Sequence, residues 1–349
     1  GAPWRSFLMP PWPARPLSTS RPQRAPRRDP VSTAPAAPEV PRALHADLLL
    51  AGQSAIDLEF LAWLLQSPAA ATAPLAVREQ QALLQLDRLV ADPDAHAHLL
   101  PRAAAVVPPL LARLRDPSTA LSDLSQLVAR DITLVAEVIR MANSAYYRRE
   151  EAVVELGHAI QVLGIEGLRN TIARVVLKPL IDARGGELLA RSAKRLWEHT
   201  DRKSQLCAAV ARGNGFDAFD AYVLALAHNA AWSVTLRTLD TVDDQAPWCV
   251  GIAFAAALAR RRDHLLAVIA RQWQLPGSVV EVAAEVGQRG LAADASQPVL
   301  HLYAGDRLAS SLCNHGGARA AAPQLLAVAG KPAQACHLAF VQSPSTQAV

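Results

Sequence analysis

From residue 45 to about residue 313 the apolar residues recur every three or four positions, and no stretch gives a convincing strict apolar–polar alternation. That spacing paints one face of an α-helix and leaves no material for a sheet. The composition points the same way, since Ala and Leu dominate while aromatic residues make up only 5% of the chain. The expected fold is therefore all-α. Of the 349 residues, 51% are hydrophobic, enough to bury a sizeable core.

Helices are predicted over about 45–66 and 75–91, a small helical preface (45–100) to the main unit. The main unit, 101–310, opens near Pro101 with an amphipathic helix in which Pro108 and Pro109 are tolerable only in the first turn. A helix over 118–129 follows, with Ser118 as its candidate N-cap, and then one capped by Asp131. Helices over 155–163 and 165–181 are punctuated by Gly164. Further helices fit 189–214, 218–238, 249–261, 263–273, 276–287 and 297–313. The tail, 311–349, is rich in Ala, Gly, Pro and Ser. It is expected to add one short helix, about 322–329, and then fray. Two helical lobes, about 101–185 and 186–310, are expected to pack side by side.

Residues 1–44 are different in kind. They hold 11 of the 25 prolines and seven arginines against only Asp29 and Glu39, so this arm carries the chain's formal excess of positive charge. Proline fixes φ and removes a donor, and the stretch reads as a disordered arm. The rest of the chain is close to neutral, which argues against a nucleic-acid-binding body. There is no apolar run of membrane-spanning length and no signal-peptide pattern, so no membrane association and a cytoplasmic setting are expected. Cys207, Cys249, Cys313 and Cys336 form no CxxC pair and read as small core residues. Nucleotide-binding glycine motifs and a GxSxG elbow are absent. His96 and His98 fall in a polar loop, and Arg260-Arg261-Arg262 reads as a basic run at a helix end, beside its C-terminal dipole.

The segment Arg140-Met141-Ala142-Asn143-Ser144-Ala145-Tyr146-Tyr147 stands out. Arg140, Asn143 and Ser144 sit near a helix end, where they can tie its carbonyls to the next turn. Tyr146 and Tyr147 add large amphipathic surface. It reads either as a hydrogen-bonded corner or as a recognition surface, with these five residues as the candidate binding set. The segment closely resembles the R-x-A-N-S-A-Y-Y stretch of HDOD domains, the HD-related output domains of bacterial signalling proteins. Leu121 to Asp131 and the pair Leu163-Gly164 with Leu168-Arg169-Asn170 resemble further family motifs. The resemblance spans about residues 100–310. It implies an HD-like helical bundle and a regulatory role in signal transduction.

HD phosphohydrolases hold metal through a His, a His-Asp pair and a later Asp, and a bound water becomes the nucleophile. The resemblance puts His199, His228-Asn229 and Asp306 at these positions, with His264 of Asp263-His264 as a further one. Asn229 stands where the aspartate belongs. A carboxamide neither neutralises nor bridges divalent cations, so the set reads as a remnant without metal or other cofactor. The expected function is non-enzymatic: binding a signalling protein partner or a small ligand, in a cleft near the corner and the remnant histidines. The alternative is a metal-dependent phosphohydrolase acting on a nucleotide or cyclic dinucleotide.

Overall fold

The helix Ala218–Asp240 (α9) is buried on every side from Tyr222 to Leu239, as a helix apolar all round must be. The rest of the molecule is arranged about it. The computed structural model describes residues 44–70, 74–101, 105, 107–147, 151–181, 186–242, 248–313 and 316–343. The arm predicted over 1–44 lies, except for Leu44, outside the described residues.

In chain order the elements before α9 are α1 (Ala46–Leu50), α2 (Gln53–Leu65), α3 (Val77–Ala91), α4 (Val107–Arg115), α5 (Leu121–Ala129), α6 (Ile132–Ala142), α7 (Leu156–Ile181) and α8 (Glu187–Gly213). After it come α10 (Ile252–Gln272), α11 (Gly277–Arg289), α12 (Gln297–Cys313), α13 (Gly317–Ala329) and α14 (Lys331–Val341). The sheet content among the described residues is one parallel two-residue pairing of Ala69–Ala70 with Val250–Gly251. The fold is all-α, as the periodicity predicts. Helices α4–α7 pack on one another and α8–α12 do the same, and α7 meets α9 where the two groups join. The preface helices pack into this body: α2 lies on α10 and α8, and α3 on α10 and α9.

Local chemistry explains most boundaries. The Asp131 carboxylate accepts hydrogen bonds from the Thr133 and Leu134 N–H groups at 2.7 and 3.1 Å and caps α6. Gly164 interrupts α7 with φ 63°, a conformation that disfavours side chains. Four expectations need correction. Ser118 caps nothing: α5 begins after Ala120, and Ser118 N–H donates instead to the Asp116 carboxylate. The helix expected over 45–66 is broken at Ala51–Gly52 into α1 and α2. The two helices expected over 249–261 and 263–273 form one continuous α10, because Asp263 turns inward to side-chain partners rather than capping a new turn. The tail holds two packed helices. Ala333, Cys336 and Phe340 supply a buried stripe on α14, which lies against α8. No helix among the described residues is long and apolar enough to cross a membrane.

Candidate functional site

Four helices bring polar side chains to the middle of the bundle. α8 contributes His199, Thr200 and Lys203; α9 contributes His228 and Asn229; α10 contributes Arg262 and Asp263; α12 contributes Tyr303, Asp306 and Ser310. All are buried. Close approach of α12 to α8 is set by Gly305, where any Cβ would collide with Cys207. The missing side chain brings the neighbouring Asp306 within reach of Lys203.

Lys203 is the hub. Its Nζ lies 2.8 Å from His228 Nδ1, 2.9 Å from Asn229 Oδ1 and 2.6 Å from Asp306 Oδ1. An ammonium only donates, and this fixes the rest of the network. His228 Nδ1 must accept, so its Nε2–H donates to Asp263 Oδ1 at 2.9 Å. The Asn229 oxygen faces Lys203, so its amide nitrogen donates to His199 Nδ1 at 3.0 Å and to Thr200 Oγ1 at 2.9 Å. His199 Nε2–H then points to Ser310 Oγ at 3.2 Å. Asp263 also accepts from Tyr303 O–H at 2.6 Å and from Arg262 at 2.9 Å. The second oxygen of Asp306 lies 3.6 Å from Arg262.

Two cations and two carboxylates therefore balance inside a low-dielectric core. Burial pulls His228 down to about 3, and the charges of Arg262 and Lys203 deepen the shift. Burial likewise lowers His199 to about 3, with Asp306 opposing. Both imidazoles are neutral at pH 7. Burial alone would raise the two carboxylates. Arg262 and His228 outweigh it and hold Asp263 at about 2, while Lys203 and Arg262 hold Asp306 well below the carboxylate range. Burial lowers Lys203, with Asp306 pulling the other way. At the edge, Asp57 of α2 is raised by burial to about 7.

His199, His228, Asn229 and Asp306 thus meet, as their motif positions imply. His264 does not: it is only partly buried and faces away, while Asp263 beside it enters the centre. Lys203, Arg262 and Tyr303 carry much of the network and are not singled out for it by the sequence motifs. The arginine run is not at a helix end. Arg260 crosses to cap the carbonyls of Val286, Gly287 and Gln288 at the end of α11, and Arg262 is fully committed to the centre. Of the cysteines, Cys249 is exposed and not a core residue; the other three are buried.

The corner at the end of α6 is built by its own hydrogen bonds. Asn143 Nδ2 donates to the Ile139 and Val153 carbonyls at 2.9 and 2.7 Å, and its oxygen accepts from Val153 N–H at 2.8 Å. Arg140 forks onto Glu137 at 2.7–2.8 Å. Ser144 is partly buried. Tyr146 and Tyr147 pack edge to face at 4.8 Å, and Tyr147 lies over Gly167, where a Cβ would come within 2.7 Å of its hydroxyl.

A metal does not fit the centre. Each nitrogen of His228, the oxygen of Asn229 and one oxygen of Asp306 already face protein partners, and the ammonium of Lys203 stands among them. Adding a divalent cation there would place it against a lysine and leave its charge uncompensated. Among the described residues no group of three or more His, Cys, Asp or Glu side chains is arranged to hold a metal ion.

An all-helical bundle with a polar centre on these four helices defines the class: an all-α, HD-like fold. The HDOD domain model matches residues 100–288, just over half of the chain, and the chain belongs to that family. A crystal structure from Shewanella amazonensis SB2B, described as a candidate metal-dependent phosphohydrolase, shares the fold with a TM-score of 0.53. Its sequence is 15% identical, and the match covers 76% of this chain and 100% of that one. An HDOD domain protein of unknown function from Geobacter sulfurreducens matches with a TM-score of 0.50 at 17% identity, over 77% of this chain and 96% of that one. An uncharacterized protein of Treponema pallidum (strain Nichols) is 25% identical over 118 residues, 33% of this chain and 22% of its own length. The chain thus spans only about a fifth of that relative.

Proposed function

We propose that this HDOD domain is a non-catalytic regulatory element of a signalling system, acting by binding a protein partner or a small ligand. The observation that carries this reading is the placement of Lys203. Its ammonium occupies the space between His228, Asn229 and Asp306 at 2.6–2.9 Å, where phosphohydrolase chemistry would need a divalent cation. A fixed +1 charge neutralises the remaining carboxylate and offers no open coordination position to activate water. The neutral Asn229 supports the same reading. What would be a reaction centre serves as a hydrogen-bonded keystone joining α8, α9, α10 and α12.

The test is metal loading with turnover. The purified chain, dialysed against Mn²⁺ or Fe²⁺, is expected to retain no stoichiometric metal and to hydrolyse neither nucleotides nor cyclic dinucleotides. The double variant Lys203→Ala with Asn229→Asp restores a carboxylate and removes the ammonium. It is expected to gain a metal-dependent rise in melting temperature that the natural sequence lacks. Stoichiometric metal in the natural sequence, together with phosphoester turnover, overturns the reading in favour of a phosphohydrolase.

A further inference from the structure

A surface groove and the basic arm of the chain match in place, charge and size. The groove begins as a cavity of about 250 Å³ between α9, α11 and α12, walled by Leu224, Val279, Val282 and Leu302, with the 42%-exposed ring of Phe216 on its lining. Through Arg115 and Asp217, which line both, it runs on into an open stretch of about 610 Å³ beside α4. Through Ala112 and Asp116 it continues into a further one of about 450 Å³. Its carboxylates outnumber its cations: Asp116, Asp123, Asp217 and Asp220 line it against Arg113 and Arg115. Arg115 is committed to Asp220 at 2.9 and 3.0 Å, and Arg113 and Arg169 act on Asp116. Asp217 and Asp123 form no ion pair with a described residue; Asp217 accepts the Asp220 N–H at 2.7 Å as the cap of α9.

The arm joins the body at the cavity end of this groove. Leu44 is buried; its N–H donates to Gln297 Oε1 at 3.2 Å and its carbonyl accepts from Gln297 Nε2 at 3.0 Å. The next residue of α12, Pro298, lines the cavity. Upstream of this tether the sequence carries Arg15, Arg21, Arg24, Arg27 and Arg28 and, before them, Trp12 between Pro11 and Pro13. We propose that the groove is the docking site of the chain's own segment 12–28, with the Trp12 indole in the cavity and the arginines along Asp217, Asp116 and Asp123.

Three arguments select this occupant. Benzene fills an apolar cavity of roughly 150 Å³, so this larger one takes an indole, and Phe216 gives it an aromatic neighbour. A body without basic character meets the arginine-rich part of its own chain at a groove where carboxylates are in excess, so the long-range field favours the contact. The third argument is the tether. The roughly 30 residues between Trp12 and Leu44 extend to about 100 Å, enough to follow the groove and return. Chain connection also holds the segment at an effective concentration of order millimolar, so a contact too weak for a free peptide persists in cis. A foreign basic peptide would have to displace it. Prolines on both sides of Trp12 leave less backbone freedom to lose on docking. None of the residues of the polar centre lines the groove, so the site stands whether or not that centre is catalytic.

Trypsin cuts after arginine except before proline, so the bonds following Arg24, Arg27 and Arg28 report on the arm within the full chain. A brief digestion read by mass spectrometry is expected to cut them about tenfold more slowly in the natural sequence than in Trp12→Ala. Asp217→Asn keeps the cap of α9 and removes the charge; it is expected to speed the cut, as is raised salt. Val282→Trp fills the cavity and is expected to act like Trp12→Ala. Protection in the natural sequence should not change on dilution. The proposal is overturned by equal rates in the natural sequence and Trp12→Ala, by either folded groove variant keeping the natural rate, or by protection that fades on dilution, which would assign the arm to a second copy. Should Val282→Trp fail to fold, Trp12→Ala, in the arm, and Asp217→Asn, with its cap kept, still decide.

Discussion

His228 and His301 are both neutral histidines, both fully inside the protein and both held far below the usual imidazole range, yet their surroundings are opposite. His228 has a partner on each nitrogen, Lys203 on one side and Asp263 on the other. His301 has none. In the first case α8 and α10 meet the ring from either side through charged groups. In the second the ring is enclosed in the bundle with Phe216 edge-on against it at 4.8 Å. The difference teaches how to read a buried polar residue. A satisfied one is part of what holds the helices in register, and removing it leaves its partners stranded. An unsatisfied one lowers stability, and removing it strands nothing.

The largest expected effect separates these cases at the hub. Lys203→Met keeps the volume and removes the charge, leaving Asp306 with Arg262 alone at 3.6 Å and His228 Nδ1 without a donor. Breaking a buried pair from one side costs about 3–5 kcal/mol. Urea denaturation should show a loss of that size. A loss below about 1 kcal/mol would mean that the centre is not a keystone.

Acid comes next, and its sign can be worked out. Unfolded histidine takes up a proton near 6.5, whereas folded His199 and His228 do so only at about 3 and His301 at about 4. Below 6.5 the unfolded state binds more protons, so stability that is complete above that pH is lost as pH falls. Asp57 works the other way: raised to about 7, it holds a proton in the folded state that the unfolded chain releases down to 3.8. Three groups outweigh one. Between pH 6.5 and 4.5 the unfolding free energy should fall by roughly 4 kcal/mol, measured by denaturant titration across the range. A flat profile would show that the buried rings exchange protons with solvent freely.

The sequence makes one of the two regions far more legible than the other. From Tyr222 to Leu236 α9 is apolar on all faces apart from His228, Asn229, Ser233 and Thr235, so its central place and the inward aim of that pair follow from pattern alone. Asp131 and Gly164 mark boundaries through backbone chemistry that any reader can apply. Lys203 escapes because a lysine is ordinarily solvated. Only its position four residues after His199, on the same face of α8, hints that it turns inward, and the hint gains meaning once α9 and α12 supply acceptors. Asp263 was legible as part of a motif, but helical phase, not the motif, decides that it enters the centre while His264 stays outside. The Asn143 corner shows the limit from the other side. Its residues announce a motif, and the geometry spends Asn143 on Ile139 and Val153, within the fold. Nothing in the spacing of α12 distinguishes His301 from an ordinary core histidine, because the hollow around it is made by side chains from α9 and α11.

The smallest effect is the most discriminating, because its sign differs between the two histidines. His228→Leu strands Lys203 and Asp263, and a loss near the Lys203→Met value is expected. His301→Leu strands nothing. It replaces an imidazole that pays a desolvation penalty by an apolar side chain suited to Leu224, Val279 and Val282. Removing an unpaired buried polar group should stabilise the protein by about 1 kcal/mol, visible as a small rise in the urea midpoint with an unchanged slope. A loss of 2 kcal/mol or more instead would mean that the ring at 301 is a packing element shaped to Phe216, and the contrast with His228 would reduce to one of degree.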